Sequence, residues 1–279
     1  MGKELLFEIG TEEIPSAYLP GMLRAFEDLA RESFKDDALD FEGLSVHGTP
    51  RRLVLHVASL AVHQRLRERE ALGPPVSAAF DKDGNPTKAA LGFANTFRVE
   101  VTDLSRKDTP KGERLAFVKK DSGQPTFVTL PILLDDLIRK LPSPKSMRWG
   151  SGKIAFVRPI QWVLAIYGKD LVIIDVTESG RSEPDYPSSG ITTRGHRFMA
   201  PKEFKVNDFQ DYLKKLHKHF VEPVVDDGEG GGRVPMVRKG VLAVAGRAGA
   251  ELAAGPEAVD RLVERVAHLV EWPFPVACA

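Results

Sequence analysis

Leu5-Leu6-Phe7-Glu8-Ile9 reads as a short strand. The elements after it set the fold class. Pro15 opens a helix, at a position where the missing N–H costs nothing. Leu19, Met22, Leu23, Phe26 and Ala30 then recur at helical spacing to about Phe34. Phe41 to Val46 reads as a second strand. Thr49-Pro50 breaks it, and Arg51 to Val62 reads as a third, with Leu53, Leu55 and Val57 alternating onto one face. Strand, helix and two strands in that order predict an α+β unit rather than a repeating βαβ chain.

Further along, Arg65 to Glu70 is a mixed charge run read as a solvated face, and Gly73-Pro74-Pro75 reads as a rigid turn. Asp83-Gly84-Asn85-Pro86 is a strong turn signal, with a short helix expected over Thr87 to Phe97. Residues 98–125 read as strands around a polar loop. Thr129-Leu130-Pro131 is read as capping a helix whose stripe is Leu133, Leu134, Leu137, Ile138 and Leu141. Phe156-Val157 and Gln161 to Tyr167 read as buried strands, continued through a hairpin turn at Gly168-Lys169-Asp170 by Leu171 to Val176. Asn207 starts an amphipathic helix and forms a capping-box pattern with Gln210. Asp226 to Gly232 reads as a flexible, glycine-rich insertion. Two helices, Pro235 to Leu252 and Pro256 to Val270, give the chain a helical C-terminal end. The polar stretch Ser179 to Gly190 sets the expected domain boundary, giving regions 1–178 and 179–279.

The chain has 279 residues, 42% of them apolar and 28% charged, enough to bury a sizeable core and too balanced for a disordered or fibrous class. Lys plus Arg equals Asp plus Glu at 39 each, so the strong basic surplus of a free-standing nucleic-acid module is absent, though a local basic face is not excluded. One cysteine, Cys278, excludes internal disulfides and Cys-rich zinc sites and suits a reducing compartment. No signal-peptide pattern opens the chain, and the longest apolar run, Trp162 to Tyr167, is far too short to span a bilayer. The expected location is the cytoplasm, with no membrane partner. The apolar stop from Trp272 to Ala279 is expected of a docked terminus or of a chain cut from something longer.

A search for catalytic constellations finds no P-loop, no H-E-x-x-H pair and no nucleophile elbow. His217 and His219 lie two apart on a helix, point to different faces and read as solvated helix-end cations. Gly228 to Arg233 superficially matches a nucleotide-binding turn, but Asp226, Asp227 and Glu229 would repel a phosphate. Glu12-Glu13 reads as favourable charge at a helix N-terminus. Trp149, Trp162 and Trp272 read as core or interface anchors. The positive features are basic residues beside rigid turns: Arg51 and Arg52 after Thr49-Pro50, Arg148 before Trp149 and Arg158 before Pro159, which flank a short glycine-containing loop with Lys153, and Arg194, His196 and Arg197 around Gly195. Such groups can hold phosphates and stack on bases. From spacing alone, structural pairing with buried carboxylates or carbonyls is the better reading.

Taken in order, several islands carry a resemblance. They are Leu5 to Pro15 (LLFEIGTEEIP), Thr49 to Leu53, Gly73 to Pro75 and Ala90 to Ala94. Met147 to Gly150, Phe156 to Trp162, Gly195 to Phe198 and Leu269 to Pro273 complete the set. In this order the chain resembles the N-terminal part of the beta subunit of the bacterial-type, heterotetrameric glycyl-tRNA synthetase. The loop Asp226 to Arg233 departs from that family's more compact, charged helix start, and no role is carried over to Asp226 or Arg238.

The resemblance implies a ligase that joins glycine to its tRNA with ATP through a glycyl-adenylate. The catalytic site and the ATP pocket lie on the alpha subunit, so no cofactor and no catalytic residue are expected here. The beta subunit supplies tRNA binding and is needed for full activity. The region is similar to the B3/B4-type domains of the phenylalanyl-tRNA synthetase beta subunit, which implies an α+β fold of small mixed or antiparallel sheets packed with helices, and it would lead into an HD-type domain and an anticodon-binding domain absent from this chain. The implied partners are the alpha subunit and glycine tRNA, with Arg51, Arg52, Arg148, Arg158, Arg194, His196 and Arg197 as candidate tRNA contacts. Two alternatives stand beside this reading: a pure scaffold for the alpha subunit, with Trp272, Phe274 and the last helix as its surface, and an editing-like hydrolase.

Overall fold

A computed structural model describes the chain except for residues 1, 111, 122, 151, 153, 175–185, 254 and 278–279, and except for the side chains of residues 67–69 and 119–121. In chain order the elements are β1 (Lys3–Thr11), α1 (Leu19–Asp36), β2 (Phe41–Thr49), β3 (Arg52–Leu60), β4 (Arg67–Pro75), α2 (Val76–Ala79), α3 (Lys88–Phe97), β5 (Ser105–Thr109) and β6 (Gly112–Asp121). They continue with α4 (Thr126–Lys140), β7 (Ile160–Tyr167), β8 (Asp170–Leu171), β9 (Ser189–Gly190), β10 (Thr192–Arg194), β11 (Glu203–Lys205), α5 (Phe209–Lys218), α6 (Arg233–Ala248) and α7 (Pro256–Ala267). Mixed helices and small, mainly antiparallel sheets make this an α+β chain. Two compact units are present, Met1–His63 with Pro125–Ala279, and Gln64–Gln124. The boundary expected at 178/179, Lys153 and Cys278 lie outside the described residues.

The larger unit is organised by β1. Its sheet runs β2-β3-β1-β7-β8, with β9 adding a short parallel pairing to β7. Being central, β1 is buried on both faces, which explains its nearly unbroken apolar run. Leu5, Phe7 and Ile9 face a large core shared with Met22, Phe26 and Phe34 of α1 and Leu130, Leu134 and Leu137 of α4. Leu6 faces the other way, onto a core with Val54, Leu164, Ile166, and Phe209, Tyr212 and Leu216 of α5. Period-two alternation puts Glu8 and Gly10 on that second face as well.

The register places Gly10 opposite Arg52 on β3 and opposite Trp162 on β7. Gly10 is required there: a Cβ would come within 1.9 Å of the Trp162 ring. On the same face, His56 stacks on Phe209 at 3.8 Å and bonds Glu4 Oε1 through Nε2 at 3.1 Å, while His47 stacks on Phe209 at 5.5 Å. Burial, then the neighbouring positive fields of His56 and Arg233, lower the His47 pKa to about 4.

Several local readings change. Helix α1 starts at Leu19, with Pro20 in its first turn and no acidic residue there, so Glu12-Glu13 does not serve that helix. Helix α4 starts earlier than read, at Thr126, and contains Pro131, because Thr126, Leu130, Leu133 and Leu134 share its buried face. Helix α5 is capped by Asp208, which accepts from Asp211 N at 2.7 Å; Asn207 instead donates to Asp211 through its backbone N and Nδ2. Phe156 forms an isolated bridge with Met147, and among the described residues the strand after the hairpin covers Asp170–Leu171, the end of the expected stretch lying outside them. The hairpin turn itself is present, with Gly168 at φ +66°.

In the smaller unit, β4, β6 and β5 form an antiparallel sheet in that order. The charge run read as a solvated face supplies the start of β4, paired from Arg67 with Asp121 onwards, because backbone pairing with β6 does not depend on apolar side chains. Gly73-Pro74-Pro75 ends this strand rather than forming a free turn, and Gly73 lies against the Phe93 ring, where a Cβ would approach to 2.6 Å. Asp81 closes the expected turn by accepting from Asp83 N at 2.9 Å and Asn85 N at 2.8 Å.

Two glycines of the larger unit should respond oppositely to a methyl group. Gly10→Ala forces it into the Trp162 ring and destabilises by about 1–3 kcal/mol, whereas Gly21→Ala in α1, where a Cβ meets nothing within 4 Å, stabilises by about 0.5–1 kcal/mol. Urea unfolding of the two variants checks the opposite signs. The lowered His47 pKa means that the unfolded chain takes up the proton first. Stability is therefore full above the unfolded value near 6.5 and falls as the pH drops towards 4, by up to about 3 kcal/mol. His47→Gln should flatten that part of the stability–pH curve.

Candidate functional site: a buried arginine–carboxylate centre beside a cleft lined by arginine and aromatic side chains

The second face of the sheet carries a charged centre. Arg52 and Glu8 are wholly enclosed, and Glu271 is 5% exposed. Arg52 Nη1 donates to Glu8 Oε1 at 3.2 Å, and its Nε and Nη2 donate to Glu271 Oε1 at 3.2 and 3.0 Å. Thr193 Oγ1 and the Arg194 carbonyl accept from Nη1 and Nη2 at 3.3 and 3.0 Å. Thr49 Oγ1 donates to Glu271 Oε1 at 2.8 Å. Burial opposes the Arg52 charge, but Glu271 and Glu8 outweigh it and raise its pKa. Burial pushes the Glu8 carboxyl upward, against the pull of Arg52. Tyr212, also enclosed, is raised well above the ordinary phenol range by burial and then by Glu8.

Trp162 roofs this centre. Three guanidinium groups lie against its ring: Arg194 at 5.0 Å, Arg52 at 5.5 Å and Arg51 at 5.8 Å from the centroid. Arg194 is partly exposed and paired with Glu203 at 2.9 Å.

Beside the centre, a cleft of about 210 Å³ is lined by Glu13, Pro50, Arg51, His196, Arg197, Phe198 and residues 269–272. Backbone bonds bring its walls together. Thr11 N donates to Arg51 O at 2.8 Å, Ile14 N to Pro50 O at 2.6 Å, and Glu12 N to Pro159 O at 3.0 Å. Arg158 Nε donates to Glu13 O at 2.9 Å. His196 N donates to His219 O, and Glu222 N to Glu271 O. Gly195 permits the tight turn: a Cβ there would meet Ala200 O at 2.3 Å. Arg197 reaches Glu13 at 3.4 Å and Glu12 at 4.0 Å, the partner that this acidic pair has in place of a helix end.

The seven candidate residues thus separate. Arg51, His196 and Arg197 line the cleft, and Arg158 braces its Glu13 wall. Arg194 lies against Trp162. Arg148 is exposed, one residue after the Met147–Phe156 bridge, and is not among the lining residues. Arg52 is the structural pairing that the spacing favoured, since all its charge is taken up inside. Sequence reading missed Glu8, Glu271, Thr193 and Tyr212. Glu8 interrupting an apolar strand was the one visible signal.

Other sequence features have local explanations. Asp226 Oδ1 accepts from Gly228 N at 2.8 Å, and Asp227 Oδ1 from Glu229 N and Gly231 N at 2.9 and 2.8 Å. The glycine-rich loop is therefore closed by its own carboxylates rather than free, and those N–H groups do not face a phosphate. His217 packs edge-on against Trp272 at 4.7 Å and His219 stacks on Phe204 at 4.3 Å, so neither is simply solvated. Arg233 is enclosed, donating through Nε to Ala267 O at 2.9 Å, and burial brings its pKa down to about 10.

These features define an α+β protein with a buried arginine–carboxylate centre beside an arginine- and aromatic-lined cleft, where the Thr49, Gly195 and Leu269 islands meet. The family model for the glycyl-tRNA synthetase beta subunit matches residues 5–279. The chain belongs to that family. It is 42% identical over 276 residues to the glycine–tRNA ligase beta subunit of Syntrophotalea carbinolica, covering 99% of this chain and 38% of that protein. Identity to the beta subunit of Geobacter metallireducens is 40% over 274 residues, covering 98% and 38%. For that of Moorella thermoacetica it is 35% over 277 residues, covering 99% and 38%. The chain thus spans about 38% of the length of these curated relatives.

Removing the buried cation tests the centre. Arg52→Met leaves Glu8 and Glu271 enclosed without it and destabilises by about 3–5 kcal/mol, while Arg197→Ala, breaking only an exposed pair, stays within about 0.5 kcal/mol. The Arg52→Met deficit shrinks as the pH is lowered towards 5. A carboxyl with a raised folded pKa loses stability as the pH climbs from the unfolded to the folded value. Urea midpoints at two pH values read both effects.

Proposed function

We propose that this chain serves a glycine–tRNA ligase as part of its beta subunit. In this reading it contributes to tRNA binding and to assembly with an alpha subunit, in the cytoplasm. The alpha subunit binds ATP and glycine and forms the glycyl-adenylate, and this chain needs no cofactor of its own. A likeness to B3/B4-type domains belongs to the same proposal. The observation that carries it is the convergence of Thr49–Arg52, Gly195–Phe198 and Leu269–Trp272 on one cleft, in a chain of this family. Arg51, Arg158, Arg194, His196 and Arg197 border the cleft or the ring beside it, and Arg148 would add an outlying phosphate contact. Arg52 acts indirectly, by holding the floor. No helix among the described residues is long and apolar enough to cross a membrane.

A second reading, a scaffold docking the alpha subunit without touching RNA, is favoured by exposed apolar side chains near the end of the chain. Leu262, Leu269, Phe274 and Val276 are 59%, 57%, 76% and 65% exposed. Large exposed apolar groups of this kind mark interaction surfaces.

Binding of glycine tRNA across a salt series separates the two. The first reading expects salt-sensitive binding, with Arg158→Ala and Arg148→Ala each lowering the slope of log K against log salt by about one. Glycylation by the assembled ligase should fall in parallel. Absence of tRNA binding at low salt, with Leu262→Asp abolishing co-purification with the alpha subunit, would replace it with the scaffold.

A further inference from the structure

Arg51 is 8% exposed, its Nε is fully enclosed, and none of its guanidinium nitrogens donates a hydrogen bond among the described residues. Its neighbour Arg52 is saturated by contrast. Burying a guanidinium without partners is expensive. The Trp162 ring at 5.8 Å offsets only part of that. Burial accordingly lowers the Arg51 pKa, with Glu271 opposing and Arg52 reinforcing the shift. Arg51 lines the cleft, and because its Nε is enclosed it is the terminal nitrogens that an acceptor there would engage.

The rest of the cleft narrows the acceptor's chemistry. Arg197 is half-exposed, and its contacts with Glu13 and Glu12 are long. Such surface pairs hold little energy and exchange readily. Phe198, 77% exposed, lies beside Arg197 with the guanidinium 5.4 Å from its ring. His196 Nδ1 accepts from Phe198 N and Met199 N, both at 3.2 Å, which fixes that turn and leaves Nε2 as a donor. An oxyanion position therefore adjoins a flat apolar face. At about 210 Å³ the cleft is smaller than the ~300–1,000 Å³ of an ordinary ligand pocket, so it takes one unit of a longer ligand.

We propose that this cleft is a subsite for a single unpaired nucleotide, its phosphate bound by Arg51 and Arg197 and its base stacked on Phe198. The proposal rests on the RNA-binding reading above and specifies which part of the RNA is recognised. A nucleotide carries both a phosphate and a flat ring, so it can engage Arg51 and Phe198 of the one cleft together. An acidic side chain of a protein partner would satisfy Arg51 but leave Phe198 bare. Base-paired RNA keeps its bases stacked on one another and offers no free ring.

The test is titration of the full chain with a fluorescent single-stranded tetranucleotide RNA, beside intact glycine tRNA. Competitors are a duplex of equal length, adenosine monophosphate, inorganic phosphate and a tetraglutamate peptide. Phe198→Ala should weaken tetranucleotide binding about ten-fold, since base–aromatic stacking is of that size, and the exposure of Phe198 makes unfolding no concern. Arg51→Met and Arg197→Ala should each reduce the salt slope by about one. Should Arg51→Met fail to fold, the other two variants decide. Competition by adenosine monophosphate well beyond that by phosphate supports a base-and-phosphate site. Wild-type affinity for the tetranucleotide in Phe198→Ala and Arg197→Ala, or equal competition by the duplex, overturns the subsite. If tRNA binding persists in that case, the broader RNA reading stands. Failure of the unaltered chain to bind either RNA overturns both, and preferential binding of tetraglutamate assigns the cleft to an acidic protein partner instead.

Discussion

The Arg52 guanidinium, closed off from water between Glu8 and Glu271, is the constraint on which the larger unit depends. It joins β1, β3, β10 and the segment after α7 at one point, and Glu271 is 219 residues away along the chain. Burying three charges is not a cheap source of stability, because desolvation consumes most of the Coulombic gain. What the centre supplies is uniqueness. A one-residue slip of β3 against β1 would carry Arg52 to the face of Leu5, Phe7 and Ile9, which is apolar throughout. Only the observed register sets the guanidinium against its carboxylates.

Gly10 and Trp162 extend the same constraint. The missing Cβ lets the indole lie flat on the central strand, and its ring then gathers Arg51, Arg52 and Arg194. Phe220, at φ +58° just beyond α5, packs edge-on against Trp272 at 5.8 Å, and Glu222 N anchors Glu271 through its carbonyl. The wall of the cleft formed by residues 269–272 is thus fixed from two sides.

Much of this was legible in the sequence. The strand at Leu5–Ile9, the stripe of α1, the alternation in β3 and the hairpin at Gly168 are local patterns, and local patterns survive in one dimension. Element ends were less legible. The shared buried face of α4 overrode the proline signal at Pro131, and main-chain pairing overrode the charge run in β4. The candidate arginines were found, but their roles were not, because role depends on the partner. Arg51 and Arg52 are adjacent and chemically alike, yet Arg52 opens β3 and enters the carboxylate centre, while Arg51, in the turn before it, lines the cleft. Glu8, Thr193, the Arg194 carbonyl and Glu271 together saturate Arg52, and no spacing rule reaches across the 219 residues to Glu271.

The division of labour between those two arginines is electrostatic in origin. A single buried guanidinium with two carboxylates carries a surplus of negative charge, and Arg51 next to it brings the enclosed set of Glu8, Glu271, Arg52 and Arg51 to formal neutrality. Arg51 therefore has a reason to remain where it is without a hydrogen bond of its own: the field of Glu271 holds it. Field without contact is a weak hold on five directional donors. A group held by field alone keeps its donors available, in a position its saturated neighbour makes rigid. That combination, a fixed cation without hydrogen-bond partners in the lining of a cleft, separates Arg51 from Arg52 within the same dipeptide, and the proposed subsite rests on it.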